Sequence, residues 1–172
     1  LIPVAAALGI HATFFGQGRL PQRPITAYLR ELTKKGITFD YHNTMPFTID
    51  GKLRSGVFEL EGDVSSQYVT GLLFALPLLD GDSEIRMLSK LESKPYVDLT
   101  IACLRHFGIA VQETEQGYAV AGGQQYHACD LTVEGDYSQA AFFCVANALG
   151  SDITLTNLNP ESVQGDKKIV EI

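Results

Sequence analysis

Glu61-Gly62-Asp63-Val64-Ser65 returns later in the chain as Glu134-Gly135-Asp136-Tyr137-Ser138, and each copy leads into an apolar run, Tyr68 to Leu79 and Ala140 to Leu149. Upstream of the first copy, Arg23-Pro24 is followed by Ile25, Leu29, Leu32 and Gly36-Ile37. Upstream of the second, Lys94-Pro95 is followed by Val97, Ile101, Leu104 and Gly108-Ile109. A glycine-aspartate turn that recurs with its neighbours in the same order marks a repeated supersecondary unit. Such units stack because none of them can bury its apolar face alone.

Both copies predict one order of elements. In the first, a helix over Ile25 to Lys35 precedes strands over Thr38 to His42, Phe47 to Ile49 and Phe58 to Glu61, and a helix over Ser65 to Leu79 follows. In the second, the helix is Tyr96 to Phe107, the strands are Ala110 to Glu113, Tyr118 to Val120 and Leu131 to Val133, and the last helix is Ser138 to Leu149. A strand over Glu84 to Leu88 joins the copies. Ile25, Leu29 and Leu32 have the spacing of one buried helix face, repeated by Val97, Ile101 and Leu104. Gly36 and Gly108 stand where helices are stopped by a left-handed residue. The helices after each Gly-Asp are apolar on nearly all sides, which predicts central helices enclosed by sheets and an α/β (α+β) class.

The same repeat bears on the ends. Leu1 to Gly9 reads as the close of an apolar helix of the Leu72 to Gly81 kind, Ile153 to Thr156 reads as a strand like Ile85 to Leu88, and Lys167 to Ile172 opens a helix. An internal piece of a longer protein is therefore expected.

Composition narrows the function. The chain of 172 residues is 45% hydrophobic and 19% charged, as in ordinary globular proteins. Its longest apolar stretch falls short of the ~20 residues that span a bilayer. Net charge is −7 and the basic residues are scattered, so neither a membrane nor a nucleic-acid backbone is the expected partner; small molecules are. Cys103, Cys129 and Cys144 are odd in number and far apart, and two of them sit inside apolar helix patterns, which suggests reduced core thiols and a cytoplasmic setting. His11, His42, His106 and His127 lack the spacing of metal ligands, and no cofactor motif is present.

A strand entering Gly62-Asp63 and then Ser65-Ser66-Gln67 at a helix start gathers free backbone N–H groups, two hydroxyls and an amide in a small space. That arrangement accepts an anion. It is equally what a simple helix cap by Asp63 or Ser65 looks like. Comparing the copies isolates Ser66 and Gln67, which become Gln139 and Ala140 in the second. Arg23, between Pro21 and Pro24, is either a solvated surface arginine or a rigidly aimed fork for carboxylate or phosphate. Ser93 and Tyr96 flank Lys94-Pro95 at the corresponding turn.

Four stretches taken together, Gly18-Arg19-Leu20-Pro21-Gln22-Arg23-Pro24, Gly62 to Gln67, Ser93-Lys94-Pro95-Tyr96 and Gln164-Gly165-Asp166, occur in the order seen in 5-enolpyruvylshikimate-3-phosphate synthases. The chain resembles that family over essentially its whole length. The resemblance implies two lobes of βαβαββ units in an inside-out barrel, with residues 1–132 in the N-terminal lobe and 133–172 opening the C-terminal one.

It implies transfer of the enolpyruvyl group of phosphoenolpyruvate to the 5-hydroxyl of shikimate 3-phosphate by a monomeric, cofactor-free and metal-free enzyme of aromatic biosynthesis. By motif, Ser65, Ser66 and Ser93 resemble the hydroxyls that hold the shikimate phosphate, and Tyr96 a residue lining that site. Gln67 resembles the amide between the two substrates, and Arg23 an arginine gripping phosphoenolpyruvate. The family's acid/base residues have no counterpart here, so these residues alone are expected to be inactive. Two alternatives remain at this point. One is a noncatalytic module of the same architecture, and the other is a UDP-N-acetylglucosamine enolpyruvyl transferase, whose active-site cysteine before Arg-Pro is missing near Arg23.

Overall fold

The computed structural model describes residues 1–63 and 65–172; Val64 of the first turn lies outside the described residues. Five helices and seven strands are present among them: α1 (Ile2–Ala7), β1 (Ala12–Phe14), α2 (Thr26–Thr33), β2 (Thr38–Asp40), β3 (Phe47–Asp50), β4 (Val57–Leu60), α3 (Ser66–Ala75), β5 (Ser83–Met87), α4 (Lys94–His106), β6 (Gln112–Thr114), β7 (Gly117–Val120) and α5 (Tyr137–Ala148). Short 3-10 turns span Leu20–Gln22, Leu76–Leu78 and Gly165–Glu171.

Strand pairing shows where one unit ends and the next begins. β4 and β5 are parallel, with α3 between them in sequence, and β7 pairs antiparallel with both β5 and β6, giving the order β4-β5-β7-β6. The run β4-α3-β5-α4-β6-β7 is thus one complete βαβαββ unit. The residues before it repeat the pattern from the first helix onward: α1, β1, α2, β2 and β3 form an antiparallel sheet in the order β1-β3-β2. In this frame β1 matches β5, β3 matches β7 and β2 matches β6.

α3 sits innermost, packed between α1 and α4. Its leucines Leu72 and Leu73, with Leu76 just beyond, are fully buried, and each such side chain contributes about 2 kcal/mol of burial. Pro77 then forces the chain out of the helix, so the predicted helix to Leu79 ends as α-helix at Ala75 and finishes as a 3-10 turn. The predicted glycine stops hold in both copies. Gly36 and Gly108 adopt φ of +97° and +81°. The following residues close the turn, Ile37 N–H donating to Leu32 O at 3.1 Å and Ile109 N–H to Leu104 O at 3.0 Å. On α2 the buried face is Ile25, Tyr28 and Leu32, with Leu29 only half-buried.

Two predicted strands are corrected. Neither Leu131 to Val133 nor Ile153 to Thr156 enters a ladder among the described residues. The equivalents β4 and β5 belong to a sheet of four because a β6–β7 hairpin completes it. No hairpin follows the later pair in this sequence, and a lone pair of short strands is marginal. In the predicted opening helix Lys167 to Ile172, Lys167 to Glu171 instead belong to a 3-10 turn and Ile172 follows it. The three cysteines are free, Cys103 and Cys144 half-buried and Cys129 exposed, so none is the core thiol their apolar surroundings suggested. Among the described residues no helix is long and apolar enough to cross a membrane.

Candidate functional site

Parallel strands deliver their following helices to one edge of the sheet, which brings the two turns of interest together. The Gly62 N–H donates to Ser89 Oγ at 2.9 Å, Ser89 Oγ donates to Asp63 Oδ1 at 3.2 Å, and the Glu92 N–H donates to Gly62 O at 3.2 Å. The turn into α3 is therefore laced to the loop into α4, and Thr70 and Thr100 hydroxyls meet at 3.0 Å one turn inside the two helices.

Ser65, and not Asp63, caps α3. Its Oγ accepts the Gln67 N–H at 3.2 Å while its backbone is extended. Asp63 is engaged by Ser89 and does not reach the helix. In the second copy the assignment changes: Asp136 caps α5, its Oδ1 accepting the Ser138 N–H at 2.8 Å. Ser138 instead bonds Asp166. The N-terminus of α5 is thereby filled by a carboxylate, whereas α3 begins with the hydroxyls of Ser65 and Ser66.

Arg23 lies just before α2, and it shares a cleft with Ser65 and Gln67. The helix is held against β4 by Arg30, whose Nη2 donates to Glu59 O at 2.6 Å and whose Nη1 meets Glu61 Oε1 at 2.6 Å. Glu31, only 1% exposed, accepts the Glu59 N–H at 3.0 Å and the Lys34 ammonium at 2.8 Å. Burial works to raise the Glu31 carboxyl's pKa, but the hydrogen bonds from Lys34, the Glu59 backbone and Arg30 outweigh it and hold it below the usual range. The second link is aromatic. Tyr28 Oη donates to the carbonyls of Gln67 and Tyr68, at 3.2 and 3.0 Å, and Tyr68 Oη donates to Pro24 O at 2.5 Å. Burial pushes both phenol pKa values up, so both hydroxyls stay protonated donors at neutral pH.

The predicted residues open onto two recesses, where a single one was expected. A cleft of about 660 Å³ is lined by Arg23, Pro24, Tyr28, Ser65, Gln67 and Tyr68 over an apolar floor that includes Ile25 and Phe74. A neighbouring recess of about 720 Å³ is lined by Ser93, Pro95 and Tyr96 on one side and by Asp136, Ser138, Gln164 and Asp166 on the other. Among the described residues Ser66 lines neither; it is half-buried at the start of α3 between them. Among the described residues Arg23 is the one lysine or arginine lining the first cleft. The second carries the carboxylates of Glu92, Glu134, Asp136 and Asp166 and, among the described residues, no lysine or arginine.

Tyr28, Tyr68 and Glu31 were not legible as site residues. The one available signal was Gly71, a glycine inside an apolar helix, which usually marks a close packing partner.

The whole chain, residues 1–172, matches the family model described as EPSP synthase (3-phosphoshikimate 1-carboxyvinyltransferase). It is 48% identical to the 3-phosphoshikimate 1-carboxyvinyltransferase of Clostridium kluyveri, covering all of this chain and 41% of that protein. Against the proteins of the same name from Clostridium beijerinckii and Clostridioides difficile, identity is 43% and 40%, again over all of this chain and 40% of each relative. A solved EPSP synthase from Acinetobacter baumannii superimposes with a TM-score of 0.77 at 20% identity, covering 99% of this chain and 39% of that one. The chain thus spans about two-fifths of the length of the relatives it matches. On its full-length match to the family model, with the βαβαββ unit that the solved relative shares, the chain belongs to the EPSP synthase family.

Proposed function

We propose that residues 1–172 supply part of an active site that moves the enolpyruvyl group of phosphoenolpyruvate to the 5-hydroxyl of shikimate 3-phosphate. Residues 1–132 belong to its N-terminal lobe and 133–172 open its C-terminal lobe. The observation that carries this reading is that the Ser65–Gln67 helix start shares a cleft with Arg23, while the Ser93–Tyr96 helix start, which follows the neighbouring parallel strand, lines the adjacent recess, in a chain of this family.

The chemistry divides as follows. Ser65 and Ser66, with Ser93 reaching in from the adjacent recess, give hydroxyls, and the start of α3 gives its positive dipole, to the shikimate phosphate. Tyr96 lines that site. The Gln67 amide lies between the substrates, and the Arg23 fork grips a carboxylate or phosphate of phosphoenolpyruvate with two parallel hydrogen bonds. The 5-hydroxyl adds to the double bond as the methylene takes a proton. The tetrahedral adduct then loses inorganic phosphate and a methyl proton.

Both proton transfers need an acid/base pair that no residue here matches, and the acidic recess beside Ser93 needs cations from outside these residues before it accepts a dianion. This chain alone is accordingly inactive. The whole enzyme is monomeric and cytoplasmic, without a cofactor, metal or nucleic-acid partner.

The test is enolpyruvyl transfer by a full-length protein carrying residues 1–172, beside the isolated chain, with dissociation constants for both substrates. Full-length turnover, silence of the isolated chain, and a loss of about tenfold in shikimate 3-phosphate affinity for Ser66→Ala are expected. Binding of the substrates without any turnover in the full-length protein would favour a noncatalytic module instead.

A further inference from the structure

Resting on the cleft reading above, we propose that Tyr28 and Tyr68 are positioning residues: two crossed hydroxyls that fix Arg23 relative to Gln67 and so set the geometry with which phosphoenolpyruvate is held. Each ring starts on one element and ends on the backbone of the other. Tyr28 leaves α2, five residues after Arg23, and donates its single proton to a site shared by the Gln67 and Tyr68 carbonyls at 3.2 and 3.0 Å. Tyr68 leaves α3, one residue after Gln67, and donates to the carbonyl of Pro24, the residue next to Arg23, at 2.5 Å. The rings meet edge to face, 4.8 Å apart at 80°, a favoured aromatic geometry. Among the described residues neither the Arg23 guanidinium nor the Gln67 carboxamide has a hydrogen-bond partner of its own. What the fold fixes is the backbone from which each projects, and the tyrosines hold those two backbones together.

Two further observations separate this from ordinary packing. Within α3 the carbonyls of Gln67 and Tyr68 already accept helical N–H groups four residues on, so Tyr28 is a second donor and its loss leaves no orphaned carbonyl. Room for its hydroxyl comes from Gly71: a Cβ there would collide with Tyr28 Oη. A glycine inside a helix is otherwise unfavourable, and here it vacates the space the lock occupies. The second copy of the repeat has Thr100, Ala141 and Cys144 where the first has Tyr28, Tyr68 and Gly71, and Lys94, Gln139 and Ala140 where the first has Arg23, Ser66 and Gln67. Lock and ligand-holding groups occur together in one copy and are replaced together in the other.

The experiment is steady-state kinetics on a full-length protein carrying residues 1–172, with Tyr28→Phe, Tyr68→Phe, Gly71→Ala and the pair Tyr28→Phe/Gly71→Ala, and with Arg23→Lys in parallel. Tyr28→Phe is expected to raise the phosphoenolpyruvate KM or lower kcat by about tenfold, since small misplacements of a holding group are costly. The shikimate 3-phosphate KM should stay within about twofold and the melting temperature nearly unchanged. Gly71→Ala should show the same bias when Tyr28 is present and a smaller one in the Tyr28→Phe background, where the colliding hydroxyl is gone. No kinetic change in Tyr28→Phe, or equal losses for both substrates in step with lost folded protein, would overturn the lock. If Arg23→Lys is also silent, the reading of the cleft fails with it; if Arg23→Lys is impaired while Tyr28→Phe is silent, only the lock fails.

Discussion

The turn at Glu61 and the turn at Glu134 share a five-residue frame and are closed differently. In both, the glycine is required by a crossing chain. A Cβ on Gly62 would lie 2.6 Å from the carbonyl oxygens of Ser89 and Lys90, and one on Gly135 would lie 2.9 Å from that of Asn157. In both, the glutamate is held ionised, but by different partners. Hydrogen bonds from Arg30 hold the Glu61 carboxyl below the usual range, and those from Gln164 and then Ser162 do so for Glu134. The caps differ most: Ser65 at α3, Asp136 at α5. Asp63 is engaged by Ser89 in the first turn, and among the described residues no carboxylate caps α3. The proposed anion would meet the hydroxyls of Ser65 and Ser66 there, whereas at α5 it would meet the Asp136 carboxylate. The same motif is thus capped by a hydroxyl in one place and by a carboxylate in the other.

Substituting the shared glycine should break both turns, and the first harder. Gly62→Ala is expected to cost about 3 kcal/mol, since backbone on two sides cannot yield. Gly135→Ala, which meets one carbonyl and the movable Leu158 side chain at 3.0 Å, should cost about 1 kcal/mol. Urea unfolding of the chain measures both, and equal costs would remove the distinction in packing.

Exchanging the arginine of the first copy for the lysine of the second tests the functional asymmetry. In a full-length protein, Arg23→Lys keeps the charge but loses the planar fork, which should cost about 1.5 to 3 kcal/mol, roughly tenfold to a hundredfold, in phosphoenolpyruvate affinity or turnover. Lys94→Arg should change neither. Unaltered phosphoenolpyruvate handling in Arg23→Lys would reduce Arg23 to a surface residue.

The caps can be swapped by alanine. Ser65→Ala should destabilise by about 1 kcal/mol and Asp63→Ala by less, whereas in the second copy Asp136→Ala should cost about 1 kcal/mol and Ser138→Ala less. Hydrogen exchange at the Gln67 and Ser138 amides reads the two caps directly. The order reversed in either copy would contradict the geometry.

The smallest effect is in the titrations. Both glutamates have depressed pKa values in the folded chain, so each contributes stability that is present above the ordinary glutamate range, about 4.3, and lost as pH falls through its folded value. About 1 M salt shortens screening to about 3 Å. It should therefore move the half-exposed Glu61 towards its ordinary value by more than Glu134, whose depression comes chiefly from the neutral donors Gln164 and Ser162. NMR titration of the two carboxyls, with Arg30→Gln as the control, checks this.

The sequence by itself determined whatever rests on contacts a few residues apart. The glycine stops at Gly36 and Gly108, the buried face of α4, and the order of strands and helices through β7 follow from local backbone geometry and periodic burial. The repeat then tied these into units, and the motif resemblance named Ser65, Ser66, Gln67, Ser93, Tyr96 and Arg23, whose roles no local pattern could supply.

Tertiary structure alone decided which hydroxyl or carboxylate caps each helix, because Asp63 is diverted by Ser89 from the far side of α3. It alone decided that Tyr28 would reach Gln67, that Glu31 would be buried against β4, and that the Ser65 and Ser93 turns would face two recesses. Among the described residues it also left Leu131 to Val133 and Ile153 to Thr156 outside any ladder, although they read as strands. A ladder is a property of neighbours: a strand's hydrogen bonds are satisfied by segments distant in sequence, and extended propensity cannot supply a partner that the sequence does not contain.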